Sequence, residues 1–381
     1  MSADVLERAR GVDLSAAVDE ARIILCTGAG GVGKTTTAAA LGLAAARRGR
    51  RTVVVTIDPA RRLAQALGLD RLESTPRPVA GVEGLDAMML DMKRTFDDLI
   101  DQYAGDAVRA GRIKGNRFYQ QLSDSLAGTQ EYMATEKLYD LHRNGGWDCI
   151  VIDTPPTRNA LDFLDAPKRL TDFLEGRFLR LFLAPGMAAG RIAGRAAGFG
   201  AGLFMRAIGR ITGVGVLADL AEFFQNFEGM YEGFKDRAQE VYDLLKSPRS
   251  AFVVVASPET PALREARFFL ERLATEGMPT AGLVVNRVTP DASAALGGHA
   301  VEELRAAGDR LLAGDEEPVA PEQEAAAALL HLATDRADTA ARERHIIATA
   351  WRASTPTPSS RSPCFPTTST TWTASPGWAT T

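Results

Sequence analysis

A glycine-rich segment, Gly28 to Thr35, follows a short apolar run and fits the pattern G-x-x-x-x-G-K-[ST]. Its glycines allow backbone N–H groups to wrap around phosphate oxygens, and the helix expected after it adds partial positive charge. Lys34 can neutralise β- and γ-phosphates, and Thr35 offers a hydroxyl to Mg²⁺. The segment predicts binding of ATP or a similar nucleotide, the alternative being a glycine-rich turn with a surface lysine. The residues expected to contact the nucleotide here are Gly28, Gly30, Gly31, Val32, Gly33, Lys34, Thr35 and Thr36.

Two aspartates stand where predicted strands end. Asp153 follows the apolar run Cys149 to Ile152, and Asp58 follows Thr52 to Ile57. A P-loop needs a second carboxylate to hold Mg²⁺ through water, and Asp153 is the predicted one. Asp58 could orient or deprotonate the attacking water. The alternatives are a helix cap at Asp153 and an Asx turn at Asp58, and at Asp58 both roles can coexist.

Short β-branched runs separated by helical stretches position these residues. The pattern predicts an α/β fold with a doubly wound, mostly parallel sheet of the P-loop NTPase type. An alanine-rich helix is predicted from Thr36 to Arg48, directly after the glycine-rich segment. The predicted strands are Ile23 to Cys26, Thr52 to Ile57, Cys149 to Ile152, Phe252 to Val255 and Leu283 to Val285, with a weaker sixth at Ala87 to Leu90.

Two long stretches, at about 93–145 and 168–246, have helical patterns without intervening strands. They predict a helical subdomain inserted into the sheet domain, and the whole domain is expected to span 1–344. Residues 178–215 are rich in Gly, Ala, Leu, Phe and Met and contain several arginines. They indicate either a buried helix pair or a mobile apolar surface for a partner or lipid.

Composition narrows the class of protein. The net charge of −4 gives no electrostatic reason to expect nucleic acid. The three cysteines lack metal-ligand spacing, so neither a zinc site nor a disulfide framework is predicted. The N-terminus is charged where a signal peptide would be apolar, and no apolar run reaches the length of a membrane span. We therefore expect a soluble cytoplasmic protein.

The last segment, 345–381, has a different composition. It contains no Asp, Glu or Lys, and Thr, Ser, Pro and Trp dominate it. This indicates either a disordered low-complexity tail or a stretch read out of frame, since a shifted reading of Pro363 to Thr381 can give a loop and an acidic helix. The nucleotide sequence would decide between them.

These residues together resemble the ArsA-type P-loop ATPases, the group that contains the arsenite-pump ATPase and the ATPase that targets tail-anchored membrane proteins. The resemblance spans about Ala21 to Arg344 and looks closest to an actinobacterial branch of anion-transporting ATPases. Four segments carry it: Gly28 to Thr37, Asp58 to Ala60, Asp153 to Thr157 and Val284 to Arg287.

The resemblance implies a magnesium-dependent ATPase in which Lys34 and Asp58 are catalytic. Thr35 would bind Mg²⁺ directly and Asp153 through water, and Asn286 would contact the adenine ring. It also implies a nucleotide-gated dimer, formed with a second copy or with a paralogous ATPase. The helical insertion would then hold a hydrophobic client or contact a membrane protein.

The chain departs from that family at Ala29, where a second P-loop lysine usually reaches across the dimer. There are three alternatives for this charge. The dimer lacks it, another cation such as Arg61 or Arg158 supplies it, or a partner subunit that kept its lysine contributes it. Slow hydrolysis by a homodimer is therefore predicted. The chain also lacks a C-x-x-C for zinc, which disfavours metalloid transport. The family's late adenine loop and last helix are missing unless the tail is out of frame.

The favoured function is an ATP-driven dimeric switch acting on an apolar client or membrane partner. The alternatives are a non-hydrolysing ATP-binding scaffold and a peripheral ATPase subunit of an anion pump. A small-molecule kinase is disfavoured because the sequence identifies no lid-like arginine cluster or acceptor pocket.

Overall fold

The computed structural model describes residues 14–58, 62–117, 119–120, 129–155, 223, 231–290, 300–313 and 320–352. The chain divides into two compact units. The first unit comprises residues 1–255 and 268–284, and the second comprises 256–267 and 285–381.

A seven-stranded sheet forms the core of the first unit. Its strands are β1 (Ile23–Gly28), β2 (Thr52–Thr56), β3 (Arg77–Pro78), β4 (Leu85–Met89), β5 (Cys149–Asp153), β6 (Ser250–Ala256) and β7 (Thr280–Val285). Their spatial order is β3-β4-β2-β5-β1-β6-β7. The β1–β5, β1–β6, β2–β4 and β2–β5 pairs are parallel, and only β3–β4 is antiparallel among the pairs whose register is defined. The predicted mostly parallel, doubly wound α/β fold is confirmed.

Burial of the four central strands explains why their positions could be predicted from the sequence. Every residue of β1, β2, β5 and β6 is buried, so each strand appears as a nearly continuous apolar run. All six predicted strands are present with end shifts of a few residues. The two-residue β3 was not predicted, because it is exposed and too short to show alternation. Its proline sits in an edge strand, where a missing N–H donor is tolerated.

Helices precede, separate and follow the strands along the chain. They are α1 (Leu14–Glu20), α2 (Lys34–Arg47), α3 (Arg62–Ala66), α4 (Met92–Tyr103), α5 (Ala107–Gly115), α6 (Thr129–Asn144), α7 (Tyr231–Lys246), α8 (Thr260–Glu276), α9 (Val301–Leu312) and α10 (Pro321–Arg352). None of these helices is long and apolar enough to cross a bilayer.

Helices α4 to α6 occupy the stretch between β4 and β5 that has a helical pattern in the sequence. Asp91 and Asp106 cap α4 and α5, each accepting a hydrogen bond from the backbone N–H three residues later. A buried ion pair joins α6 to α7, with Arg237 Nε 2.5 Å from Glu136 Oε2. The apolar segment 178–215 lies outside the described residues.

In the second unit, α9 packs along α10. Arg305 donates a hydrogen bond of 2.6 Å to Asp338, and the ring of His331 lies against Gly308. Helix α10 continues to Arg352, past the domain boundary expected at residue 344. Residues 345–352 contain neither glycine nor proline, so no helix-breaking residue ends α10 at that boundary.

Candidate nucleotide-binding site

The loop between β1 and α2 depends on glycine at specific positions. Gly28 ends β1 with φ 147°, and a Cβ atom there would lie 2.0 Å from the carbonyl oxygen of Val255 on β6. Gly31 and Gly33 also have positive φ values, of 78° and 97°. Side chains strongly disfavour this conformation, so the loop can turn tightly only with glycine. Gly33 is the residue before α2, which places the N-terminus of that helix at the loop.

Lys34 lies inside this loop rather than on the surface. It is 6% exposed, and its Nζ donates hydrogen bonds to the carbonyl oxygens of Gly28 and Ala29 at 2.9 and 2.8 Å. A surface lysine on a simple glycine-rich turn would not be buried in this way. The ammonium group is therefore held where phosphate oxygens would compete with carbonyl oxygens for its protons.

The carboxylate of Asp153 lies at the end of β5, between β1 and β2. Strand register places it opposite Cys26 of β1 and Thr56 of β2. The residue is 1% exposed, and its Oδ2 accepts a hydrogen bond of 2.9 Å from the hydroxyl of Thr56. The sequence-predicted carboxylate is thus brought beside the strand that leads into the glycine-rich loop.

Burial raises the pKa of Asp153 above its usual range. Hydrogen bonding from Thr35 and Thr56 and the charge of Lys34 oppose the rise, whereas the nearby charge of Asp58 adds to it. Burial has the largest effect, so ionised Asp153 is poorly solvated. A cation bound beside this carboxylate would relieve that cost.

The donor set fits magnesium. The Oδ1 atom of Asp153 is buried and has no hydrogen-bond partner of normal geometry in the described part of the chain. Thr35 is the second residue of α2, and a hydrogen bond from its side chain favours the ionised form of Asp153. Carboxylate and hydroxyl oxygens are hard ligands of the kind Mg²⁺ prefers, usually together with water and phosphate.

Asp58 follows β2 and is largely buried, with 16% of its side chain exposed. Its Oδ2 lies 3.6 Å from Arg62 at the start of α3, and its backbone N–H donates to the Thr56 hydroxyl at 3.2 Å. The residues between them, 59–61, lie outside the described residues, as does Arg158. The charge of Asp58 acts on Asp153, and its carboxylate is partly accessible to water.

Thr154 and the cysteines complete the surroundings. The Thr154 hydroxyl donates to the carbonyl of Cys26 at 2.8 Å, which ties the residue after β5 to β1. Burial raises the pKa of the Cys26 thiol well above its usual range and that of Cys149 to about 11. Both thiols are therefore protonated at neutral pH and act as core packing groups.

Three polar side chains near the site were not predicted from the sequence: Thr56, Arg62 and Thr154. The two threonines occupy or follow the carboxyl ends of β2 and β5, where side chains at one sheet edge converge. Their position at a predicted strand end is the sequence feature that could have identified these two threonines as site residues. The hydroxyl partners become visible only with the strand register.

Asn286 follows β7 and belongs to the second unit. Its backbone N–H donates to the carbonyl of Ala256 at 2.8 Å, and the next residue, Arg287, has φ 63°. The role of Asn286 toward the adenine ring stays a prediction.

Comparison with known proteins supports the same interpretation. The chain is 26% identical over 281 residues to an arsenical pump-driving ATPase 1 of Aquifex aeolicus, covering 71% of this chain and 64% of that protein. It is 26% identical over 273 residues to an "ATPase ASNA1 homolog" of Entamoeba dispar, covering 69% and 75%. It is 27% identical over 270 residues to "ATPase get3" of Aspergillus terreus, covering 70% and 73%. The chain therefore spans less than two thirds of the Aquifex relative.

The family model described as anion-transporting ATPase matches residues 21–309, which include the glycine-rich loop, both aspartates and Asn286. The match covers well over half of the 381 residues. The resemblance seen in the motifs is confirmed, and the chain belongs to the ArsA family of ATPases.

Proposed function

We propose that this chain binds and hydrolyses ATP with Mg²⁺, and that hydrolysis drives a dimeric switch acting on a hydrophobic client or membrane partner. The observation that carries the catalytic part is the convergence of three groups at one sheet edge. Lys34 lies buried in the glycine-rich loop, and the Thr56 hydroxyl links the Asp153 carboxylate to the backbone of Asp58.

In this proposal Lys34 and the loop N–H groups bind the β- and γ-phosphates. Thr35 and Asp153 hold Mg²⁺, Asp153 through water, and the ion neutralises phosphate charge when bound. Binding replaces the contacts of Lys34 with two carbonyl oxygens by contacts with charged phosphate oxygens, which are stronger acceptors.

Asp58 has the position expected of a group that orients water. Its carboxylate is shielded enough to be held in place, yet 16% of the side chain stays exposed. A carboxylate accepts hydrogen bonds only, so it can align a water molecule by accepting one of its protons. Arg62 lies 3.6 Å from Asp58 and balances its charge.

The switch is supported by where these groups sit and by the resemblance to ArsA-type ATPases. Asp58 and Asp153 are the points from which β2 and β5 lead into connecting segments. Coupling nucleotide state to segments that follow such residues is a common device in nucleotide-driven switches. The dimer, the client and the contribution of residues 178–215 remain part of this proposal.

The experiment measures phosphate release and nucleotide binding by the full chain, wild type beside Asp58→Asn. Asp98→Asn is the matched control, because Asp98 is exposed on α4. We expect Asp58→Asn to lower kcat by about tenfold or more while a fluorescent ATP analogue still binds. The control should equal wild type. Equal turnover in wild type and Asp58→Asn would contradict the proposed role.

A non-hydrolysing scaffold is the second candidate, and Ala29 in the glycine-rich loop favours it. Its loop position offers no charge to a facing nucleotide. The same assay separates the two functions, since a scaffold would bind the ATP analogue tightly but release no phosphate, alone or mixed with a paralogous ATPase. The name of the Aquifex relative motivates a third candidate function, an ATPase subunit that drives a pump. ATP turnover stimulated by membranes carrying a candidate pump would support that reading.

A further inference from the structure

A single buried hydroxyl connects the two carboxylate positions of the site. Thr56 is the last residue of β2 and is 1% exposed. Its Oγ1 donates to Asp153 Oδ2 at 2.9 Å and accepts a hydrogen bond of 3.2 Å from the backbone N–H of Asp58. The ends of β2 and β5 are therefore bridged by one side chain as well as by the strand pairing.

The direction of this bridge is determined by chemistry. A backbone N–H can only donate, so Thr56 must accept at Asp58 and has one proton left for Asp153. That proton favours the ionised form of Asp153, against the burial that disfavours it. Rotating the hydroxyl away would take one hydrogen bond from the buried Asp153 carboxylate, which is costly.

We propose that Thr56 is a positioning residue that couples the orientation of the Asp153 carboxylate to the backbone at Asp58. A shift of the Asp153 carboxylate would then move the backbone at Asp58, and a shift at Asp58 would move the Asp153 carboxylate. The backbone around the bridge supports this coupling, because the N–H of Ile57 donates to the Asp153 carbonyl at 3.2 Å. This inference rests on the proposed function, since it assigns the coupling to the same site.

The test compares Thr56→Val, which removes the hydroxyl and nearly keeps the shape, with Thr56→Ser, which keeps the hydroxyl. Thr52→Val is the matched control, because Thr52 is equally buried at the opposite end of β2 and donates to the carbonyl of Arg50. Three quantities are measured: kcat, the Mg²⁺ concentration giving half-maximal turnover, and equilibrium binding of a fluorescent ATP analogue with Mg²⁺ or with EDTA.

We expect Thr56→Val to lower kcat by about tenfold and to raise the required Mg²⁺ several-fold, as loss of a hydrogen bond to a charged group predicts. Analogue binding in EDTA should change by less than about twofold, within the scatter expected for an untouched contact. Thr56→Ser should recover most of the activity, and Thr52→Val should match wild type in Mg²⁺ dependence. Thermal unfolding of each variant checks that it is folded.

Two outcomes would overturn the coupling. One is a Thr56→Val variant with wild-type kcat and Mg²⁺ dependence. The other is a Thr56→Ser variant as defective as Thr56→Val, because the methyl packing would then matter rather than the hydroxyl. If wild type releases no phosphate, the proposed function fails. The coupling would still be tested, since Thr56→Val should reduce the Mg²⁺-dependent gain in analogue binding.

Discussion

At the residue scale, Gly28 shows how closely the loop is fitted to its neighbours. An added Cβ would lie 2.0 Å from a backbone oxygen of β6, in a strand pair that cannot separate locally. We expect Gly28→Ala to displace the loop, lower the melting temperature by several degrees and abolish nucleotide binding. The measurement is thermal unfolding with and without ATP.

Gly49→Ala is the control for this substitution. Gly49 also has a positive φ, of 80°, but an added Cβ would meet nothing within 4 Å. It tests the conformational strain alone, expected to be about 1–2 kcal/mol. If Gly28→Ala were no more harmful than Gly49→Ala and still bound ATP, the close approach to β6 would not matter.

Spacing in the sequence decides which residues of the candidate site could be predicted. Lys34, Thr35 and the two aspartates could be predicted because each has a set place relative to a strand end or a motif. Thr56 could not, because a threonine inside an apolar β-run is an ordinary strand residue. Its function as a bridge depends on the β2–β5 register, which the sequence does not display.

At the scale of helices, the buried pair between α6 and α7 concentrates several interactions. The side chains of Arg237 and Glu136 are 8% and 1% exposed. Arg237 also donates to the Tyr103 hydroxyl at 2.8 Å and lies 4.4 Å from the centre of the Tyr139 ring, while the Tyr132 hydroxyl donates to Glu136. The pair therefore holds α4, α6 and α7 together.

We expect Arg237→Met to destabilise the protein by about 3–5 kcal/mol, because it leaves the Glu136 carboxylate buried without its cation. Adding Glu136→Gln should recover part of that loss, which a double-mutant cycle in urea measures. Arg77→Met is the control, because Arg77 forms an exposed pair with Glu73 and should cost below about 1 kcal/mol. Simple additivity of the two core substitutions would contradict this reading.

The end of α6 carries a pH-sensitive contact. Arg22, just before β1, donates to His142 Nδ1 at 3.2 Å, so the imidazole must be neutral to accept. Burial, and then the charges of Arg22 and Arg249, lower the pKa of His142 below its usual value. Stability from this contact is therefore complete above the ordinary histidine pKa and is lost as pH falls through the lower folded pKa.

We expect His142→Asn to reduce the loss of melting temperature between about pH 7 and pH 5, because an amide oxygen still accepts from Arg22 but does not titrate across the ordinary histidine range. The measurement is the melting temperature across that range, wild type beside variant. Parallel curves for the two proteins would show that His142 does not contribute.

Strands were more predictable than helices for a physical reason. Central strands are buried on both faces and therefore read as unbroken apolar runs, whereas β7 is mostly half-buried and was predicted only at its last residues. Its first residues, Thr280 to Gly282, lack the apolar signal. The two helical stretches gave a pattern but no register, so the Glu136–Arg237 contact between them could not be foreseen.

At the scale of the whole molecule, Ala29 bears on how the proposed dimer would hydrolyse ATP. The resemblance implies that two nucleotides face each other, with a lysine from each loop reaching the partner's phosphates. This chain would close without that lysine unless a paralogue supplies it. Cations that reach developing phosphate charge in this way are worth several powers of ten in rate. Slow turnover and a long-lived ATP-bound dimer are the expected consequence.

The most direct test is the molar mass of full-length Asp58→Asn by light scattering, in Mg²⁺–ATP and in Mg²⁺–ADP, alone and with a paralogous ATPase. Asp58→Asn should bind ATP and hydrolyse it at least about tenfold more slowly, so the ATP-bound state persists longer during the measurement. We expect a dimer in ATP and a lower or different mass in ADP. The same mass in both nucleotides, with and without the paralogue, would contradict an ATP-driven dimeric switch.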